Sequence, residues 1–346
     1  MSNSIRVVIA GATGYTGSEL VRLLLDHPYV EIAGVTSSSR AGTRFDEIYP
    51  QFTGFYEEKL SSTEEIHPDD FDAIFLGLPH GISMEFVKQH GYEQTPIIDL
   101  SGDFRLSSAD LYNQWYPEKH VLPDAIADAA FGLPEWFGEQ VRSANLIANP
   151  GCYPTSSILP LIPLIKSGKV DPASVVIDAK SGVTGAGANA KPNTHFPTVN
   201  DNFSVYGLMK HRHTPEIEDV TRRVTGTAPT VQFTPHLLPV SRGILTVVYG
   251  RSESVSSSAE VRSWFEEAYG DKPFIRINSK PPSLQEIRGT NFCNLYPAFD
   301  ERTGNVIIIS VIDNLVKGAA GQAIQNLNLR FGFPEETGLN QSSLAP

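Results

Sequence analysis

The chain has 346 residues, 40% of them hydrophobic and 19% charged, which suits a globular protein of about two domains with real apolar cores. A formal net charge of -12 excludes a molecule whose main business is gripping nucleic acid, while leaving room for local basic sites that hold a phosphorylated ligand. Two cysteines cannot build a disulfide framework, no stretch is long and apolar enough to cross a bilayer, and Met1-Ser-Asn-Ser-Ile-Arg6 lacks signal-peptide architecture, so a cytoplasmic protein is expected.

Ile5–Ala10 is a short unbroken apolar run, the pattern of a strand buried on both faces. Glycines 11, 14 and 17 follow, and Leu20, Val21, Leu24 and Leu25 then recur at helical spacing. Further strands are predicted over Val30–Val35 and over residues 72–78, 96–100 and 145–149, with helical patterns between several of them. The alternation predicts an α/β domain over residues 1–151, Rossmann-like, on a mostly parallel sheet. After about residue 171 the texture changes. Residues 175–179, 244–249, 274–277 and 306–312 read as strands with fewer helices between them, which predicts a second α+β domain over residues 152–317 with a largely antiparallel sheet. Residues 318–329 are rich in Ala, Gln and Leu and read as a helix stopped by Gly332 and Pro334, and the last dozen residues are expected to be loose.

Gly11-Ala-Thr13-Gly14-Tyr15-Thr16-Gly17 lies between the first strand and the first helix. Glycines there permit a tight turn and let a pyrophosphate approach the backbone at the positive end of the helix. A plain strand-to-helix turn is the alternative. After the second strand comes Thr36-Ser37-Ser-Ser-Arg40, where folds specific for NAD usually carry a carboxylate. Hydroxyls and a guanidinium suit a 2′-phosphate, so NADP(H) is the expected cofactor, with a solvated polar loop as the other reading. A second glycine-rich run, Ser181-Gly182-Val-Thr-Gly185-Ala-Gly187, can approach a nicotinamide or bind anions through its amides.

Asn149-Pro-Gly-Cys152-Tyr-Pro154-Thr155 follows a predicted strand, and doubly wound sheets place ligands at the carboxyl ends of strands. With Pro154 as the first helical residue, Cys152 stands at a helix N-terminus that favours its thiolate. Pro160 and Pro163 are expected to distort that helix. Cys293, in the strand-like 291–296, is assigned to packing. A thiol beside a nicotinamide divides a reduction in two: acyl transfer with phosphate loss, then hydride delivery to the thioester.

Tyr206-Gly-Leu-Met-Lys210-His211-Arg212-His213-Thr214-Pro-Glu216 gathers two imidazoles and two cations. A histidine near the thiol can take its proton and later protonate a departing oxyanion. Lys210, Arg212 and Arg242 are candidates for holding phosphate or carboxylate. The same run also reads as a solvated helix start, with Thr214 as cap and Pro215 next. The two histidines lack a third ligand at metal-site spacing, so no metal is expected. His80, His120, His195 and His236 are read as structural.

The glycine loop, the cysteine block, residues 181–187, His211-Arg-His-Thr-Pro-Glu-Ile217 and Asp313-Asn314-Leu-Val-Lys-Gly-Ala-Ala320 together resemble the N-acetyl-gamma-glutamyl-phosphate reductases, in order and along essentially the whole chain. The resemblance implies NADPH-dependent reduction of N-acetyl-L-glutamyl 5-phosphate to the 5-semialdehyde in arginine biosynthesis, with no metal. It implies Cys152 as nucleophile, the acid/base role on the His211/His213 pair with His213 preferred, and Asn314 near the nicotinamide. The expected cofactor residues are Gly11, Thr13, Gly14, Tyr15, Thr16, Gly17, Ser37, Arg40, Ser181, Gly182 and Asn314. The expected substrate residues are Asn149, Tyr206, Arg212 and Arg105. Residues 318–346 are expected to return to the first domain, and the second domain to carry a homo-oligomer, dimer or tetramer. Rival readings are a sister acyl-phosphate reductase (an aspartate-semialdehyde dehydrogenase or lysine-pathway homologue), a sugar-nucleotide epimerase using Tyr206 and Lys210, and a non-catalytic NADP-binding sensor.

Overall fold

The computed structural model describes residues 4–344; the readings made for Met1, Ser2, Asn3 and the last two positions lie outside the described residues. The chain divides into two compact units. One comprises the chain up to Pro150 together with Ala319–Asn340, the other Gly151–Gly318 together with the residues from Gln341 onward.

The first unit is built on six strands: β1 (Ile5–Ala10), β2 (Val30–Val35), β3 (Ala73–Leu76), β4 (Ile97–Asp99), β5 (Ala130–Phe131) and β6 (Leu146–Ala148). They lie in the order β2-β1-β3-β4-β6-β5, and every pairing is parallel. Val7, Ile9, Ala10, Ile74, Phe75, Ile97 and Ile98 are fully buried, because both faces of the sheet are covered, and this is why the strands read as unbroken apolar runs. Strand order reverses between β1 and β3, the position where open α/β sheets bind ligands.

The helix Gly321–Arg330 belongs to this unit and is buried from Gly321 through Leu329. Gln322 and Asn326 each donate to the Gly132 carbonyl at 2.9 Å, and Arg330 donates to the Ala144 carbonyl at 2.9 Å. The tail beyond it is tied down instead of loose. Asn328 donates to the Glu335 and Thr337 carbonyls, and within the second unit the Leu344 amide bonds the Arg288 carbonyl. The expectation of a loose end is corrected: polar composition hid backbone carbonyls that a buried asparagine captures.

The second unit carries β7 (Val176–Gly182), β8 (Ser204–Val205), β9 (Gln232–Leu238), β10 (Ile244–Arg251), β11 (Ile275–Ile277), β12 (Cys293–Asp300) and β13 (Asn305–Ile312), in the order β11-β12-β13-β10-β7-β9-β8. The pairs β12/β13, β13/β10, β10/β7 and β8/β9 are antiparallel, while β11/β12 and β7/β9 are parallel. One face of this sheet receives the helix Cys152–Lys166, whose Ser156 hydroxyl lies 2.7 Å from that of Thr246 on β10. On the other face Leu245, Val247, Tyr249, Ile307 and Ile309 are partly exposed. Alternation of buried and half-exposed apolar residues is the mark of a sheet with one face uncovered by its own chain.

Candidate active site

In the first unit, the glycine loop turns from β1 into the helix Tyr15–Leu24. Two of its glycines are dictated by the chain itself. Gly11 takes φ +77, and a Cβ there would meet the Gly77 carbonyl oxygen at 2.5 Å; one on Gly17 would meet Ala12 Cα at 2.6 Å. Gly14 differs. A Cβ on it would find only the Gly11 carbonyl oxygen at 3.7 Å, so nothing in the chain demands a glycine there. An absent side chain at the start of a helix, facing open space, is what close approach of a pyrophosphate requires. The Thr13 hydroxyl lies 3.0 Å from that of Ser37, and the Tyr49 hydroxyl donates to the Thr13 carbonyl at 2.8 Å. These contacts join the glycine loop to the segment after β2. Arg40 is exposed there.

Arg105 and Asn149 sit in the same unit at the carboxyl ends of β4 and β6. Arg105 is 5% exposed, and its guanidinium donates to the Asn149 and Leu100 carbonyls at 2.7 Å each. The Asn149 amide donates to the Ala319 carbonyl at 3.2 Å and accepts from Asn326 at 3.0 Å. Asn149 thereby links the end of β6 to Ala319 and the helix Gly321–Arg330. Nearby, Asp99 is fully buried and accepts from the Ser101 amide and hydroxyl at 3.1 and 2.7 Å. Burial, and then the neighbouring Asp103 charge, push its carboxyl up to about 6.

In the second unit, Cys152 is the first residue of the helix Cys152–Lys166, with Gly151 as its N-cap. Pro154 is the third helical residue, not the first. A proline costs nothing there, because first-turn amides have no partner within the helix. Pro160 and Pro163 lie inside the helix without ending it. The Gly151 amide donates to Glu216 Oε1 at 2.9 Å. A Cβ built on Gly318 would lie 2.8 Å from the Cys152 Cβ.

The helix His213–Thr225 begins one residue before the expected Thr214 cap; Arg212 is its N-cap, without a side-chain capping bond. Its first residue therefore stands beside the other imidazole, and the His211 and His213 ring centroids are 4.8 Å apart. The His213 amide donates to His211 Nδ1 at 3.2 Å, so a neutral His211 carries its proton on Nε2. Burial, then the adjacent Arg212 charge, lower the His211 pKa to about 4. Tyr153 packs edge-on against both rings, at 5.6 Å from His211 and 6.1 Å from His213. The Tyr206 hydroxyl donates to that of Tyr153 at 3.2 Å, and Tyr153 donates to the His236 carbonyl at 2.9 Å. Both phenols are pushed well above their ordinary range, first by burial. Lys210 and Arg212 are exposed. Tyr206 and Lys210 share no helical face, since Gly207 and Met209 between them take φ of 59 and 62, which removes the geometry an epimerase pair needs.

Asp313, fully buried, organises the end of β13. It accepts from Arg242 Nη2 at 3.0 Å, from the Gly289 amide at 2.7 Å and from the Leu315 amide at 2.8 Å, while its own carbonyl accepts from Gly318. Asn314 accepts from the Gly243 amide at 2.7 Å and donates to the Thr184 hydroxyl at 2.9 Å. A Cβ on Gly182 would strike the Ser241 carbonyl oxygen at 2.8 Å, and one on Gly185 would lie 3.1 Å from the Ser181 hydroxyl. Ser181, Gly182 and Asn314 are thereby gathered around one turn.

Residues 6–144 match the semialdehyde dehydrogenase NAD binding domain, and residues 152–314 the semialdehyde dehydrogenase dimerisation domain. Among curated relatives, an N-acetyl-gamma-glutamyl-phosphate reductase of Pelotomaculum thermopropionicum is 44% identical over 99% of this chain and 100% of its own length. The protein of that name from Aquifex aeolicus is also 44% identical, over all of both chains. The chain belongs to the N-acetyl-gamma-glutamyl-phosphate reductase family.

Solved structures share the fold at lower identity. Aspartate semialdehyde dehydrogenase II of Vibrio cholerae complexed with ASA has a TM-score of 0.72 at 17% identity, covering 96% of this chain and 99% of that one. The Candida albicans aspartate semialdehyde dehydrogenase with NADP has a TM-score of 0.70 at 16% identity, covering 94% and 98%. Against the motifs of the N-acetyl-gamma-glutamyl-phosphate reductase family, the structure adds residues that motif reading passed over. Glu216 was quoted only as part of a helix start, and Gly318 and Asp313 only as part of a resemblance. No signal in the sequence joins Glu216 to Gly151 or Gly318 to Cys152.

Proposed function

We propose that this chain reduces N-acetyl-L-glutamyl 5-phosphate to N-acetyl-L-glutamate 5-semialdehyde with release of phosphate, using NADPH, as the arginine-pathway reductases named above do. The observation that carries this is Cys152 as the first residue of a helix in the unit that also holds His211, His213, Tyr153 and Tyr206.

The Cys152 thiolate attacks the acyl carbonyl; the bond from that carbon to the phosphate oxygen breaks, phosphate leaves, and the acyl group remains as a thioester. NADPH, when bound, supplies the hydride that takes this thioester to the aldehyde oxidation level. The carbon–sulfur bond then breaks, which frees the semialdehyde and restores the thiolate. His213 is the group that takes the thiol proton and returns a proton to what departs. His211 suits that role less, since a pKa near 4 leaves it a weak base at neutral pH and its Nδ1 is already an acceptor. It serves as a neutral donor through Nε2. Arg212 and Tyr206 are assigned to the substrate. Asn149 and Arg105, held at the strand ends by bonds to protein carbonyls, are assigned to the substrate as well.

Gly11, Gly14, Gly17, Thr13, Tyr15 and Thr16 are assigned to the cofactor, on the strength of the open space beside Gly14. Ser37 and Arg40 favour NADPH over NADH, since hydroxyls and an exposed guanidinium attract a 2′-phosphate. Ser181, Gly182 and Asn314 are assigned to the nicotinamide end. The match to a dimerisation domain, with the half-exposed apolar face of β10 and β13, supports a dimer through that face. Working in the cytoplasm fits two cysteines that form no disulfide among the described residues.

The deciding experiment runs the reaction backward: semialdehyde, phosphate and NADP are mixed, and NADPH is followed spectrophotometrically. NADPH formation that needs phosphate and vanishes in Cys152→Ser supports the proposal. Turnover with aspartate semialdehyde instead would move the chain to the sister reaction.

A further inference from the structure

We infer that Glu216 is a positioning residue whose carboxylate, by accepting the Gly151 amide, fixes the nucleophile against the acid/base helix. The inference rests on Cys152 being the nucleophile and on His213 moving the proton.

Glu216 lies three residues after His213, so the two project from the same side of the helix His213–Thr225. Gly151 precedes Cys152 and caps the other helix. The 2.9 Å bond from the Gly151 amide to Glu216 Oε1 therefore spans from one reacting residue's helix to the other's loop. The two helices pack together along their lengths, which by itself would tolerate small sliding. A bond at the first turn of both does not. Glycine at 151 makes the tether more useful, because without it the backbone next to the nucleophile has no side chain to hold it. Stability alone is a poor reason for this arrangement. Glu216 is 1% exposed, and a buried carboxylate gives up its hydration before its partners repay it, so an apolar residue would serve packing at least as well.

What matters on this account is reach, which a charge-conserving change can remove and a charge-removing change can keep. Glu216→Gln retains an oxygen at the same distance from Gly151. Glu216→Asp keeps the charge but is one methylene short. The measurements are kcat and KM for the acyl phosphate, with a thermal melt and the iodoacetamide rate at Cys152 for each variant. Glu216→Gln should keep kcat within roughly fivefold of the parent, while Glu216→Asp should lose roughly 30- to 100-fold in kcat with KM changed less than about threefold, the scale expected for misplacing a reacting group by about an ångström. The inference is overturned if Glu216→Asp turns over like the parent, if Glu216→Gln falls as far as Glu216→Asp, or if the loss sits in KM. A parent enzyme that survives full alkylation of Cys152 would sink the underlying mechanism instead, and that outcome is read separately.

Discussion

Gly318 stands so close to Cys152 that a side chain at 318 would meet the Cys152 Cβ at 2.8 Å. The Gly318 amide is itself held by the Asp313 carbonyl, so the segment has little freedom to retreat. Gly318→Ala should push the thiol off its line of attack and lower kcat by roughly 10- to 100-fold. Steady-state kinetics beside a thermal melt test this: a large fall in melting temperature with normal kcat per folded molecule would contradict it.

Cys152→Ser should bind NADPH normally and lose nearly all reduction, because a serine hydroxyl is scarcely ionised at neutral pH. Mass spectrometry of the parent mixed with acyl phosphate, without NADPH, should show one acyl adduct on Cys152. An adduct elsewhere, or turnover by the serine variant near the parent's, removes the thioester mechanism.

His213→Asn should depress turnover by roughly 10²- to 10⁴-fold, the range for a lost general acid/base. His211 should show itself in stability. Its folded pKa of about 4 lies below the ordinary 6.5, so the folded state resists a proton that the unfolded chain accepts. Its contribution is intact above pH 6.5 and fades as pH falls toward 4. Thermal melts of the parent should decline over that window, and less steeply in His211→Asn.

Asp99 acts with the opposite sign. Its carboxyl is raised from 3.8 to about 6, so the folded state loses stability as pH rises between those values. Asp99→Asn keeps an oxygen for the Ser101 amide and removes the charge. The variant should gain more in melting temperature, relative to the parent, at pH 8 than at pH 4. Equal gains at both would show that the carboxyl is not strained by burial.

The glycine loop gives a contrast between two neighbours. Gly14→Val should raise the KM for NADPH roughly tenfold or more with little change in melting temperature, since the side chain would enter space the protein leaves open. Gly17→Val should unfold the first unit instead, because its Cβ would meet Ala12 Cα at 2.6 Å. Arg40→Asp should narrow the preference for NADPH over NADH, read as the ratio of kcat/KM values.

Much of the architecture was legible because it is local. The apolar runs at Ile5–Ala10 and Val30–Val35 became β1 and β2 with the expected ends, and the strand-helix alternation became an all-parallel sheet. Strand β9 escaped because Pro235 sits inside it, and a proline within a run argues against a central strand. Its position is tolerated where β8, only two residues long, is the neighbour on one side. The site was legible where chemistry is carried by residue type, as at Cys152 and the paired histidines. It was opaque where chemistry depends on meeting a distant residue. Nothing near Glu216 announces that it will bond an amide 65 positions earlier, nor anything near Asn149 that Asn326 and the Ala319 carbonyl will bond its side chain.

The return of Ala319–Asn340 to the first unit has a consequence for how the protein is made. A ribosome releases the six strands of that unit first, yet the helix Gly321–Arg330 that Gly132 and Ala144 await comes after every strand of the second unit. The second unit, apart from its short tail, is contiguous and can close on itself while the earlier one is still waiting. Until residues 319–340 have been made, the nascent chain must keep an unfinished parallel sheet from sticking to its neighbours. A chain stopped after Gly318 would therefore retain a foldable second half joined to an aggregation-prone first half, and that stage is the one most in need of a chaperone.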